Sequence, residues 1–212
     1  MTDREHRLLV RGATFAAVGA GGDIRGVPGG TTPDGLFVRD ARHLSRWQLT
    51  VDGAVPEVLT PATAYGRADD ADADADVARC VLVPRGGRQE PPAYTLFREQ
   101  AVVDGSLVEA LRITSNRPVP TTLLLGLTVD ADFTDQFELR SDHRTYTKTG
   151  AVRSRRVLTA PAEGPAGTDQ PGTTQPPVLG VEFGYRRGEW LSRTTVTSAP
   201  SLRNAMPSSS PM

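Results

Sequence analysis

The stretch Tyr94-Thr95-Leu96-Phe97-Arg98-Glu99-Gln100-Ala101-Val102-Val103, followed by Asp104-Gly105-Ser106 and then Leu107-Val108-Glu109-Ala110-Leu111-Arg112-Ile113-Thr114, decides the fold class. Two β-prone runs flank a turn containing glycine, which tolerates positive φ, so the segment reads as a β-hairpin. In the second run Leu107, Glu109, Leu111 and Ile113 share one face, and Val108, Ala110, Arg112 and Thr114 share the other. That alternation marks a half-buried strand.

Outward from this hairpin the same design recurs. Arg46 to Val51 and Val55 to Leu59 flank Asp52-Gly53-Ala54 and predict a second hairpin. Arg144 to Lys148 and Ala151 to Leu158 are expected to pair across Thr149-Gly150. Val178 to Phe183 and Trp190 to Val196 are expected to pair across Tyr185 to Glu189. Thr121 to Val129 (TTLLLGLTV) is apolar on both faces, so it reads as a central strand covered on both sides. Gly126 inside it predicts a bulge or a close approach by another backbone. Further strands are expected at Arg7 to Val10, Thr14 to Val18, Leu36 to Val38 and Arg79 to Val83. No window of 12 or more residues has helical periodicity. The 21 Gly and 17 Pro in 212 residues favour short strands and turns over helices. The fold class is therefore all-β, an antiparallel β-sandwich with long flexible loops, over residues 1–197 as one domain.

Three segments carry no periodic pattern. Ala68 to Asp76 (ADDADADAD) is an acidic solvated loop, Thr159 to Pro177 a Pro/Gly/Thr-rich flexible loop, and residues 198–212 a disordered tail. With 24 basic and 25 acidic residues the net charge is -1, which argues against a nucleic-acid or membrane-surface partner. No run of about 18 apolar residues could span a bilayer. No secretory signal is visible, so the expected compartment is the cytoplasm. The single cysteine, Cys80, lies in an apolar run and reads as a small core residue. His6, His43 and His143 are scattered, so no metal spacing emerges. The Gly19 to Gly30 segment contains G-x-G-G, but loop and strand follow it where a nucleotide site needs a helix. No cofactor is implied.

Two stretches concentrate charge. In Gly35-Leu36-Phe37-Val38-Arg39-Asp40-Ala41-Arg42-His43-Leu44 a strand leads into Arg39, Asp40, Arg42 and His43. The bland reading is a strand end whose ions pair and cap a turn. The functional reading is a polar cluster at a cleft, with Asp40 held between guanidinium groups, because charges beside Phe37 and Trp47 are costly to bury unpaired. In Asp130-Ala131-Asp132-Phe133-Thr134-Asp135-Gln136-Phe137-Glu138-Leu139-Arg140, carboxylates, two Phe and one Arg crowd a strand end. A solvated turn, a calcium loop and a catalytic carboxylate pair all compete there. The calcium loop fails, because Asp135 and Ser141 stand where an EF-hand needs Gly and Glu. A glycosidase pair needs carboxyls about 5 to 10 Å apart, which sequence spacing does not establish.

These motifs together, with Leu107-Val108-Glu109 and Gly188-Glu189-Trp190, resemble the N-terminal domain of bacterial glycogen-debranching-enzyme-like proteins of the amylo-α-1,6-glucosidase type. The similarity covers roughly residues 7–192. Ala41 and Ala110 depart from residues more usual in that family. The resemblance implies a β-sandwich that precedes an (α/α)6 barrel, packs against it and borders its substrate cleft. The catalytic acids of glycosidic hydrolysis belong to that barrel, so the expected function is a non-catalytic module, with a glycoside hydrolase barrel and an α-glucan as partners. The alternatives are a free-standing glycan-binding module and an active glycosidase. The tail SAPSLRNAMPSSSPM does not resemble the family's continuation, which suggests a truncated product. On this reading Arg39, Asp40, Arg42 and His43 converge with Asp132, Asp135, Glu138 and Arg140 at one end of the sandwich to face the barrel or sugar hydroxyls, with Phe133 and Phe137 as apolar anchors.

Overall fold

The computed structural model describes residues 6–27, 32–65, 77–86, 91–139, 147–159 and 178–198. Met1–Thr149 and Gly150–Met212 form two compact units. In chain order the strands of the first are β1 (Arg7–Arg11), β2 (Thr14–Val18), β3 (Ile24–Arg25), β4 (Gly35–Val38), β5 (Ala41–Leu44), β6 (Arg46–Val51), β7 (Glu57–Tyr65), β8 (Val77–Val83), β9 (Tyr94–Val103), β10 (Ser106–Ser115), β11 (Leu125–Asp130) and β12 (Thr134–Asp135). The second holds β13 (Val152–Thr159), β14 (Val178–Arg187) and β15 (Trp190–Thr197). One 3-10 turn, Gln136–Leu139, is the helical element among the described residues. No described helix is long and apolar enough to cross a membrane.

All pairings are antiparallel. The first unit contains sheets ordered β1-β2-β4-β5-β12, β10-β9-β8-β7 and β11-β6-β3. Strands β1 and β2 pack on the β7–β10 sheet. Leu9, Ala16 and Val18 are buried on one side of this interface, and Ala78, Cys80, Leu82, Leu96 and Val102 on the other. The fold is all-β, as the alternation predicts.

The β9–β10 hairpin turns on Asp104 (φ 48) and Gly105 (φ 78), the paired positive φ values of a two-residue turn whose twist matches its strands. Asp52 (φ 51) and Gly53 (φ 77) form a like turn, but it corrects the expected hairpin. Only an isolated bridge, Val51 with Ala54, follows it, and β7 pairs with β8. Pro56 lacks the N–H a continuing ladder would need, and the turn ties itself to Leu124 through both backbone and the Asp52 carboxylate.

The run Thr121 to Val129 is also corrected. Its strand begins at Leu125 and lies at a sheet edge, paired among the described residues with β6 alone. Leu124 is 72% exposed, Leu125 42% and Leu127 41%. Gly126 marks neither a bulge nor a close backbone approach: the β11–β6 register is continuous, and what a Cβ there would meet is a side chain, Thr50 Oγ1 at 2.5 Å.

In the second unit, Val181, Phe183 and Tyr185 alternate as the buried face of β14. Strand β13 pairs with β14, and residues 144–146 of its expected partner lie outside the described residues. The β14–β15 turn is tighter than expected, with Arg187 opposite Trp190 across Gly188 (φ 58). The acidic loop 68–76, nearly all of 159–177, and residues 199–212 also lie outside the described residues.

Candidate functional site

The two charge-dense stretches meet. Strand β4 ends in a turn at Arg39 (φ 57) and Asp40 and returns as β5. Strand β12 then adds to β5, placing Thr134 opposite Arg42 and Asp135 opposite Ala41. Gln136 N donates to Asp40 O at 2.8 Å, closing the junction.

At its centre Arg42 is fully buried. Nε donates to Asp132 Oδ1 at 3.1 Å, and Nη2 to Asp132 Oδ2. The Val27 carbonyl accepts from Nη2 at 3.3 Å, and the Thr32 and Asp34 carbonyls accept from Nη1 at 3.2 Å each. These contacts occupy every N–H a guanidinium has. Two glycines make the room: a Cβ at Gly35 would lie 2.6 Å from Arg42 Cδ, and one at Gly26 3.0 Å from Nη1. Asp132 Oδ1 also accepts from Thr134 N at 3.3 Å, so the same carboxylate anchors β12. A buried pair this fully hydrogen-bonded offsets its own desolvation, and it locks the junction into one geometry.

The other residues of the cluster sit around this lock. Asp40 is exposed and accepts from Gln136 Nε2 at 2.8 Å, so the carboxylate that grips Arg42 is Asp132, not Asp40. Asp135 Oδ1 accepts from Phe137 N at 2.8 Å, and Glu138 Oε1 from Asp135 N at 3.0 Å. Lys148 Nζ joins Glu138 at 2.6 Å and the Phe133 carbonyl at 3.1 Å. Phe133 (φ 51) is buried and meets the His43 ring edge-on at 5.4 Å. It is a core residue, so of the two expected apolar anchors Phe137, half exposed, is the one that faces outward. Arg39 is exposed on the turn. Arg140 lies outside the described residues. Among those described, no group of three or more His, Cys, Asp or Glu could hold a metal ion.

A second buried ionic network lies outside the sequence-based expectations. Arg98 stands on the core face of β9 between Leu96 and Gln100. Its Nη1 donates to Asp23 Oδ1 at 2.6 Å and Gly21 O at 2.8 Å, and its Nε to Glu109 Oε2 at 2.8 Å. Glu109 Oε2 also accepts from Gln100 Nε2 at 2.6 Å and Trp47 Nε1 at 2.8 Å. Burial pulls the Arg98 guanidinium down, but Glu109 and Asp23 beside it hold it above its ordinary pKa. The glycine-rich loop is explained by this network. Gly22 (φ 79) offers its carbonyl to Gln100 at 2.9 Å, and a Cβ there would lie 2.8 Å from Gln100 Oε1. A readable signal exists: Arg98 interrupts an apolar face, and Glu109 occupies the like face of the next strand.

Cys80 lies beside this network, opposite Arg98 on β8. Burial pushes its thiol up to about 11, as befits an inert core residue.

A family model described as the N-terminal domain of (some) glycogen debranching enzymes matches residues 9–208. No curated protein and no solved structure matches the chain.

Proposed function

Because the chain belongs to the family of N-terminal domains of glycogen debranching enzymes, we propose that it is a non-catalytic module that packs on a glycoside hydrolase (α/α)6 barrel and shapes its cleft. The observation that carries this reading is the open edge of β11. Leu124, Leu125 and Leu127 are exposed where the strand lacks a second neighbour among the described residues. Exposed apolar sheet edges are sites of pairing and docking. On β6 beside them, Trp47, Leu49 and Val51 are buried, so the core runs out to an apolar margin.

Strand β11 leads through Asp130 into the Arg42–Asp132 lock. We assign Arg39, Asp40, His43, Asp135 and Glu138 to the polar rim of the contact, with Phe137 as its outward anchor; Arg42, Asp132 and Phe133 act beneath them as supports. Stiff support of this kind suits a surface that must hold its shape against a partner. In the described residues the carboxylates of the cluster serve as hydrogen-bond acceptors for the fold, which favours an accessory role over a catalytic one.

The test is glucose release from a branched α-glucan by the chain alone, by a family barrel expressed without its N-terminal domain, and by the two mixed. No release by the chain and a higher rate in the mixture support the proposal. Release by the chain alone, or a mixture no faster than the barrel, overturns it.

A further inference from the structure

Charge is spread unevenly along the chain. Over the described residues of the second unit, 150–159 and 178–198, six arginines stand against two glutamates. That is an excess of four positive charges in a chain whose net charge is -1. The opposite pole is residues 68–76 (ADDADADAD), with five aspartates and no basic residue.

The β13–β15 sheet divides its arginines between two faces. Val181, Phe183 and Tyr185 take the buried face of β14, so Glu182, Gly184 and Arg186 line the other. Antiparallel partners share a face. On this second face Arg156 and Glu182 share one row, Ser154, Gly184 and Arg193 the next, and Arg186 stands in the third. Each of the three rows carries one arginine, and all three arginines are exposed. Arg156 meets Glu182 at 3.2 Å, and no other ion pair forms on this face among the described residues. Gly184 adds no side chain to the middle row. The Ser154 hydroxyl takes that space: a Cβ at Gly184 would lie 2.5 Å from Ser154 Oγ.

We propose that this face binds the acidic run of a second copy of the chain. Its rows recur every two residues, roughly 6.7 Å apart. Asp70, Asp72, Asp74 and Asp76 also recur every two residues. An extended strand of that sequence carries its carboxylates on one side at the same interval. The two surfaces therefore match in sign and in spacing, and each guanidinium can grip a carboxylate through two N–H groups. Ser154 Oγ supplies a further donor in the middle row. Exposed ion pairs are individually weak, so the contact needs several in register and weakens with salt. A nucleic acid would also attract these arginines, but the five aspartates and the net charge of -1 repel a polyanion. The contact joins two different patches, so copies assemble into a closed ring or a chain. It is independent of barrel docking at the β11 edge.

The experiment is sedimentation velocity on the full chain at about 0.02 M and about 0.5 M salt. Association at low salt that reverses at high salt is expected. Arg186→Gln/Arg193→Gln and Asp72→Asn/Asp74→Asn should each weaken it by at least about tenfold. An equimolar mixture of the two variants should associate again, now stopping at one-to-one pairs, because the intact run of one meets the intact face of the other. A misfolded variant cannot be rescued in this way. A chain that is monomeric at low salt, association that either variant leaves intact, or a mixture that stays monomeric would each overturn the proposal. So would a DNA oligonucleotide that binds the face of a chain that does not self-associate.

Discussion

Arg42 and Asp132, separated by 90 residues of sequence, form a two-point ion pair with neither side chain more than 2% exposed. It fastens the β4–β5 turn to the strand that follows β11, and so fixes the surface around Phe137.

Asp132→Ala leaves the guanidinium buried without a counter-charge. A loss of about 3–5 kcal/mol is expected from urea unfolding. The double variant Arg42→Met/Asp132→Leu removes both charges but also strips the Val27, Thr32 and Asp34 carbonyls and the Thr134 N–H of their partners, so it should recover only part of that loss; a double variant less stable than Asp132→Ala would show that the uncompensated charge is not the main cost.

Glu109→Gln removes the charge shared by Arg98, Gln100 and Trp47. Asp23 still holds Arg98, so the expected cost is smaller, roughly 1.5–3 kcal/mol. Trp47 emission should shift as its indole N–H loses a charged acceptor. An unchanged spectrum and midpoint would contradict the network.

Gly35→Ala drives a methyl against Arg42 and should cost about 1–3 kcal/mol. Gly86→Ala, where a Cβ would meet nothing within 4 Å, is the neutral control. Thermal melts of the two separate a packing effect from a general intolerance of alanine.

Cys80 carries a pH signature. Its folded pKa lies near 11 against an ordinary 9.0, so the folded state keeps the proton longer. The associated stability is fully present below pH 9 and fades as pH rises through 11. Native protein should resist a thiol reagent at pH 8 and react fully once unfolded; rapid native labelling would place Cys80 at the surface.

Much of this was legible in sequence, for stated reasons. The β9–β10 hairpin follows from alternation plus a glycine turn, both local properties. The meeting of Arg42 with Asp132 is not local: the residues alone suggest that Asp40 pairs with its neighbouring arginines, and the expectation that the two stretches converge rests on the family resemblance. The choice of Asp132 over Asp40 depended on which side of β5 each carboxylate reaches, and sequence spacing does not reveal that. β11 reads as central in the sequence and is an edge strand in the fold, because apolarity on both faces signals burial, whether the cover is this chain or another. Arg98 was hidden because a charged residue within a strand looks solvent-facing until register sets Asp23 and Glu109 around it.

Hydrogen–deuterium exchange on the chain, alone and mixed with the family barrel, tests the docking claim most directly. Slowed exchange confined to the β11 edge, Leu125 to Asp130, and the turn Gln136 to Leu139 is the predicted result. Protection elsewhere, or none at all, would contradict it.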